Sequence, residues 1–128
     1  KRQVKERSRD ELKSGPLLGD ARDRTVIIFD DLISSGATVA KAAAKCKELG
    51  ARQVIVAATH AMLNGDYVAN LGSAAIDKVI VTNSVIRAAS LPQELLSKFV
   101  IVDSSRIFAK AMEAMHSRET LIESTDLT

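Results

Sequence analysis

The stretch Thr25-Val26-Ile27-Ile28-Phe29-Asp30-Asp31 constrains this chain more than any other. A continuous apolar run that stops at two acids reads as a strand buried on both faces of a parallel sheet, running over residues 25–29. Ligands of open parallel sheets bind beyond the carboxyl ends of the strands. Two carboxylates directly after a buried strand are costly to desolvate unless something takes up their charge. Sugar hydroxyls, or a magnesium ion bridged by them, would do so.

The chain continues Leu32-Ile33-Ser34-Ser35-Gly36-Ala37-Thr38 and opens an alanine-rich helix. Small residues let the backbone wrap an anion closely. The N–H groups of a first helical turn have no internal acceptor and point at it. The hydroxyls of Ser34, Ser35 and Thr38 add neutral donors. Hydrogen bonds to a charged group contribute roughly 1.5–3 kcal/mol each, so several together hold a phosphate with no Lys in the loop. The acid pair then lies within reach of the sugar attached to that phosphate. Taken singly, Ser34 or Ser35 is a plain N-cap and the two Asp are turn residues. Taken together after an apolar strand, Asp30, Asp31, Ser34, Ser35, Gly36, Ala37 and Thr38 are the expected substrate-binding residues.

The rest of the chain alternates strands and helices. Helical spacing over residues 38–49 puts Val39, Ala42, Ala43, Cys46 and Leu49 on one face, and Gly50 sits where a left-handed C-terminal cap is expected. Residues 54–58 form a second buried strand ending at Thr59-His60. Asn64-Gly65-Asp66 can turn and cap a short helix from Tyr67 to Leu71, stopped by Gly72. Residues 79–81 make a third strand, ending at Thr82-Asn83. A long connection follows, with Pro92 as the first residue of a short helical turn. Phe99–Val102 is a fourth strand. Asp103 or Ser104 caps a last helix to Ser117, with Ile107, Phe108, Ala111, Met112 and Met115 as its inner stripe and the Met pair as core filler. The expected fold class is α/β with a mainly parallel sheet flanked by helices. The expected organisation is a polar stretch over 1–24 that forms a loop or hairpin, an α/β domain over 25–118 and a frayed tail over 119–128.

Composition sets limits on partners. The net charge is +2, and residues 1–24 hold eight basic and five acidic side chains. So small an excess gives no argument for nucleic acid or membrane partners. No apolar run approaches the ~20 residues of a membrane span, and a soluble, cytoplasmic protein is the default. Cys46 is the only cysteine, which excludes an intrachain disulfide and reads as a small core residue. His116 is expected to face solvent. Asn83 is expected to fix the turn after its strand. His60 is either a ligand or interface group, or a hydrogen-bonded turn residue.

Residues 26–38 resemble the phosphoribosyl-diphosphate signature: apolar strand, two acids, then a small-residue phosphate loop ending in Thr. Type I phosphoribosyltransferases share it. Further segments follow the order seen in ribose-phosphate diphosphokinases: Leu18-Gly19-Asp20-Ala21, Glu48-Leu49-Gly50-Ala51, Ala58-Thr59-His60-Ala61, Val81-Thr82-Asn83 and Ile107-Phe108-Ala109-Lys110-Ala111. The likeness covers the chain to about Leu121 and matches the C-terminal part of that family. It implies a phosphoribosyltransferase-like fold, incomplete at its N-terminus. It also implies transfer of the diphosphoryl group of ATP to C1 of ribose 5-phosphate, with Mg2+, in a homo-oligomer. By the same likeness, Lys1 corresponds to a catalytic lysine of an upstream loop.

This sequence departs from the family at two places. Gln3 stands where the loop carries an Arg, and a neutral amide cannot provide the same electrostatic stabilisation. Ser34 stands where many members have Asp. The likeness leaves most of the ATP site and the upstream metal-binding residues outside these 128 residues. The chain is therefore expected to derive from a cleaved or truncated enzyme or to pack against another chain, and to be inactive alone. Two alternatives remain at this point, a type I phosphoribosyltransferase and a non-catalytic regulatory homologue of the synthetase.

Overall fold

The computed structural model describes residues 20–86 and 88–117. Four strands form one sheet in the order β1-β2-β3-β4: β1 Thr25–Ile33, β2 Gln53–Ala61, β3 Lys78–Thr82 and β4 Phe99–Val102. All three pairings are parallel, with Thr25 opposite Gln53, Val56 opposite Val79 and Val79 opposite Phe99. The connections carry α1 (Ala37–Glu48), α2 (Tyr67–Gly72) and a 3-10 turn (Ala88–Ser90) followed by α3 (Gln93–Leu96). A last helix, α4 (Ser105–Ser117), follows β4. The expected parallel α/β class holds.

Each strand adds to the same side of its predecessor. Right-handed crossovers then place every connecting helix on one face of the sheet. The core lies under those helices. Val54, Val56, Val79 and Val81 point into it from the strands, and Val39, Ala43, Cys46, Leu71 and Leu95 meet them from the helices, all nearly solvent-free. Cys46 is a core residue, and burial pushes its thiol pKa up.

The opposite face corrects the expectation for β1. Ile27 and Phe29 alternate with the core-facing positions and are exposed, Phe29 by 79%. Val100 and Val102 of β4 are also exposed on that face. Among the described residues β1 is an edge strand and nothing covers the outer face. A continuous apolar run marks both faces of a strand as apolar, whether or not a layer lies over each.

The inner stripe expected for α4 is corrected for the same reason. Ile107, Phe108, Met112 and Met115 are exposed, the last by 73%, and of this helix only Ala114 is buried. The Met pair is therefore not core filler. Leu49, expected on the buried face of α1, is the C-cap and is 41% exposed.

Several local readings stand. Gly50 takes φ 86 after α1, and β4 has the expected bounds. Pro92 precedes α3 as its N-cap instead of opening it. The strands run longer than periodicity suggested. β1 continues through Asp30 and Asp31 because Leu32 and Ile33 pair with His60 and Ala61. The acid pair is thus inside the strand end, and Thr59-His60 likewise lies inside β2.

Two polar anchors hold the frame. The Asp77 carboxylate accepts from the Val54 N–H at 2.7 Å and from Lys47 Nζ at 2.8 Å. Those bonds, Lys47 first, hold its pKa below the usual aspartate value. Lys98 Nζ donates to the carbonyls of Gly72 and Ser73 at 2.8 and 2.7 Å. It thereby satisfies the end of α2, where a cation is also favoured by the helix dipole.

Candidate functional site

The loop between β1 and α1 is tight because of Gly36. Its φ is 77, and a Cβ there would lie 2.7 Å from Leu71 Cδ2. Glycine alone meets both demands. Gly36 is the N-cap of α1 and makes no side-chain cap bond. Ser35 Oγ reaches the Ala37 N–H only at 3.4 Å. The plain N-cap reading for the serines therefore finds only this long contact.

The orientation of the loop peptides follows from their carbonyls. Ile33 O accepts from the Met62 N–H at 2.8 Å, and Ser34 O from the Asn64 N–H at 3.0 Å. Ser35 O accepts from Asn70 Nδ2 at 2.9 Å. Among the described residues no peptide bond is cis, so each of these carbonyls is opposed by the N–H of the next residue. The N–H groups of Ser34, Ser35 and Gly36 therefore point away from the segment 62–70. Among the described residues none of these three donates within the chain. Successive N–H groups aimed at one place make an anion-binding concavity, and the start of a 12-residue helix adds its positive end.

These groups border an open recess of about 120 Å³ lined by Asp30, Leu32, Ile33, Ser34, Ser35, Gly36, Ala37, Thr38 and Val39. That is smaller than the roughly 300–1,000 Å³ of whole small-molecule sites and suits a single anionic group. One oxygen of the Asp30 carboxylate accepts from the Asp31 N–H at 2.9 Å, which fixes that side chain. Six of the seven residues expected at the site thus share one recess. Asp31 is exposed and is not among its lining residues. Lys1, Arg2 and Gln3 lie outside the described residues, as do the hairpin expected ahead of Asp20 and the tail over 119–128.

A second recess adjoins the first through Asp30. It is lined by Phe29, Asp30, Ala57, Ala58, Thr59, Ile80, Val81, Thr82 and Val102. At its rim the Thr59 carbonyl accepts from Thr82 Oγ1 at 2.8 Å and from Ser84 Oγ at 3.2 Å. His60 Nδ1 lies 2.8 Å from Ser84 Oγ, so His60 is hydrogen-bonded and still exposed. Asn83 fixes its turn as expected. Its Oδ1 accepts from the N–H and Oγ of Ser104, and its Nδ2 donates to Asp103. Asp103 in turn accepts from the Ser105 N–H and hydroxyl at the start of α4, and those bonds lower its pKa. Of the two caps considered for α4, Asp103 provides the side-chain oxygens. The Asp66 side chain, by contrast, makes no cap bond to α2. His116 is exposed.

Magnesium takes oxygen ligands, commonly one or two carboxylates plus substrate oxygens. Asp30 fits that donor set, with the exposed Asp31 beside it. Among the described residues no three His, Cys, Asp or Glu side chains converge. No described helix is long and apolar enough to cross a membrane.

Comparison with known proteins supplies the family. The sequence profile of the phosphoribosyl synthetase-associated domain matches residues 4–124. A ribose-phosphate pyrophosphokinase of Haemophilus ducreyi is 36% identical over 105 residues, covering 82% of this chain and 33% of that protein. Ribose-phosphate pyrophosphokinase 5 of Schizosaccharomyces pombe is 35% identical over 107 residues, covering 82% of this chain and 30% of that protein. The crystal structure of phosphoribosylpyrophosphate synthetase from Mycobacterium smegmatis superposes with a TM-score of 0.68 at 29% identity, over 79% of this chain and 33% of that one. The chain spans about a third of the length of the curated relatives it matches. Its profile match covers nearly all of its length, and the chain belongs to the phosphoribosyl synthetase-associated domain family.

Proposed function

We propose that this chain supplies the ribose 5-phosphate half of a ribose-phosphate diphosphokinase site. The single observation that carries this reading is the set of three N–H groups, from Ser34, Ser35 and Gly36, turned away from residues 62–70 in the loop that lines the recess with Asp30. The 5-phosphate sits on those N–H groups and on the hydroxyls of Ser34, Ser35 and Thr38. The carboxylates of Asp30 and Asp31 accept from the sugar hydroxyls and orient C1 away from the loop. The whole reaction, in this reading, moves the diphosphoryl group of ATP to the C1 hydroxyl and yields phosphoribosyl diphosphate for nucleotide synthesis. A magnesium ion held by Asp30 and Asp31 through the sugar oxygens would offset charge on the transferred group. Lys1 carries the catalytic role implied by the family likeness, and ATP binds largely outside these residues. The protein works in the cytoplasm as a homo-oligomer.

Isothermal titration with ribose 5-phosphate tests this. Binding that is lost in Asp30→Ala and weakened at least several-fold for ribose lacking the phosphate is the expected result. Equal affinity for ribose and ribose 5-phosphate would sink the reading. A non-catalytic homologue is the second reading, favoured by Gln3 and Ser34 at positions where the family carries charge. Diphosphoryl transfer from ATP, assayed on the chain joined to an N-terminal two-thirds from a relative, separates the two. Turnover excludes the second.

A further inference from the structure

We infer that Asn70 is a positioning residue for the phosphate loop, acting from behind it through the Ser35–Gly36 peptide. The inference rests on the sugar-phosphate reading above and names a residue that touches neither sugar nor phosphate. Three consecutive loop carbonyls, those of Ile33, Ser34 and Ser35, are each held by the segment that follows β2. The first two are held by backbone N–H groups of Met62 and Asn64, which any residue but proline provides. The third has no backbone donor. It is held by a side chain, Asn70 Nδ2, 35 residues away in sequence. The next peptide is where the loop becomes α1, and its N–H belongs to Gly36, at φ 77. A left-handed glycine has the freest backbone in the loop, so the constraint sits where the chain is least able to hold its own direction.

Asn70 is well placed to impose that constraint. It is half-buried, its backbone N–H donates to Asp66 O within α2, and Leu71 beside it is solvent-free against Gly36. Lys98 ties the far end of the same short helix. α2 is thus a backing for the loop, and Asn70 is its one polar side chain bonded to the loop. The bond is also in series with the ligand: Asn70 Nδ2–H to Ser35 O, then Gly36 N–H to phosphate. Each bond in such a chain polarises the next. Asn70 therefore both aims the Gly36 N–H and strengthens its donation.

The test uses the 128-residue chain with two variants of one position. Asn70→Leu keeps the size and removes the donor. Asn70→His restores an N–H at the same distance from the backbone. Calorimetry with ribose 5-phosphate is expected to show roughly threefold to tenfold weaker binding in the Leu variant, the span of one hydrogen bond. Binding of the His variant is expected to return to within about twofold of wild type. Equal affinity in Asn70→Leu and wild type overturns the proposal. So does a loss that Asn70→His fails to recover, which would make the residue a packing element. Wild-type protein gives a test that needs no variant. In its NMR spectrum the side-chain amide of Asn70 is expected to shift together with the Ser34, Ser35 and Gly36 amides as ribose 5-phosphate is added. If the loop amides shift and Asn70 does not, the coupling is absent and the proposal falls. If wild type does not bind ribose 5-phosphate at all, the sugar-phosphate reading falls first and takes this assignment with it.

Discussion

Replacing Gly36 by alanine separates two costs that the phosphate loop imposes on one residue. At φ 77 an alanine meets the left-handed penalty, about 1–2 kcal/mol. Its Cβ would also stand 2.7 Å from Leu71 Cδ2 and 2.9 Å from Leu71 Cγ. Leu71 is solvent-free in the core, so it can move only by shifting its neighbours, and overpacking of this kind costs about 1–3 kcal/mol. The sum, about 2–5 kcal/mol, is a large part of the ~5–15 kcal/mol of a typical domain. Gly65 provides the control. Its φ of 59 imposes the same backbone penalty, but a Cβ there meets nothing within 4 Å. Urea unfolding followed by circular dichroism is expected to rank Gly36→Ala well below Gly65→Ala, with similar m-values. In a Leu71→Ala background the extra cost of Gly36→Ala should fall to the backbone penalty alone. If Gly36→Ala and Gly65→Ala lower stability equally, the close approach of loop and α2 is not as described, and the reasoning fails.

Three further outcomes are expected. Asp77→Ala leaves the buried Val54 N–H without its acceptor and should cost about 1–2 kcal/mol in the same assay. Because the folded-state pKa of Asp77 is lowered, its contribution is complete above the ordinary aspartate value and is lost as pH falls through the folded one. Asp77→Asn should therefore flatten the acid side of a stability-versus-pH curve, and an unchanged slope would count against the Lys47 pairing. Leu95→Ala, at a solvent-free position between α3 and the sheet, should cost about 2–5 kcal/mol in urea; a loss under 1 kcal/mol would contradict the assigned core. Ser34→Asp puts a carboxylate beside the bound phosphate and should weaken ribose 5-phosphate roughly fourfold, from like charges about 5 Å apart in a water-like medium. Tighter binding by calorimetry would contradict the placement of Ser34.

How far the sequence could be read depended on whether the information was local. β4, the left-handed Gly50 and the position of α1 follow from apolar spacing and glycine chemistry within a few residues. The small residues from Ser34 to Thr38 were likewise visible as a loop that opens a helix. The ends of β1 and β2 are not local, because ladder pairing between Leu32 and His60, and between Ile33 and Ala61, overrides the polar residues that resemble strand ends. The exposure of Phe29, Phe108 and Met115 was missed because periodicity names an apolar face and says nothing of what lies against it. Asn70 carried no signal. An asparagine on a short helix is ordinary, and its bond to Ser35 exists only once two crossovers have been folded.

The strand order has a consequence for how the chain comes together. Every strand pairs with the strand before it in sequence, the widest such step being from Thr25 to Gln53, 28 residues apart. Among the described residues no pairing waits for a distant segment, and loop-closure cost depends only weakly on length at this scale. The domain can therefore be laid down one strand and helix at a time as it leaves the ribosome. The phosphate loop, clasped by residues 62–70, draws its carbonyl partners from the one segment that directly follows β2.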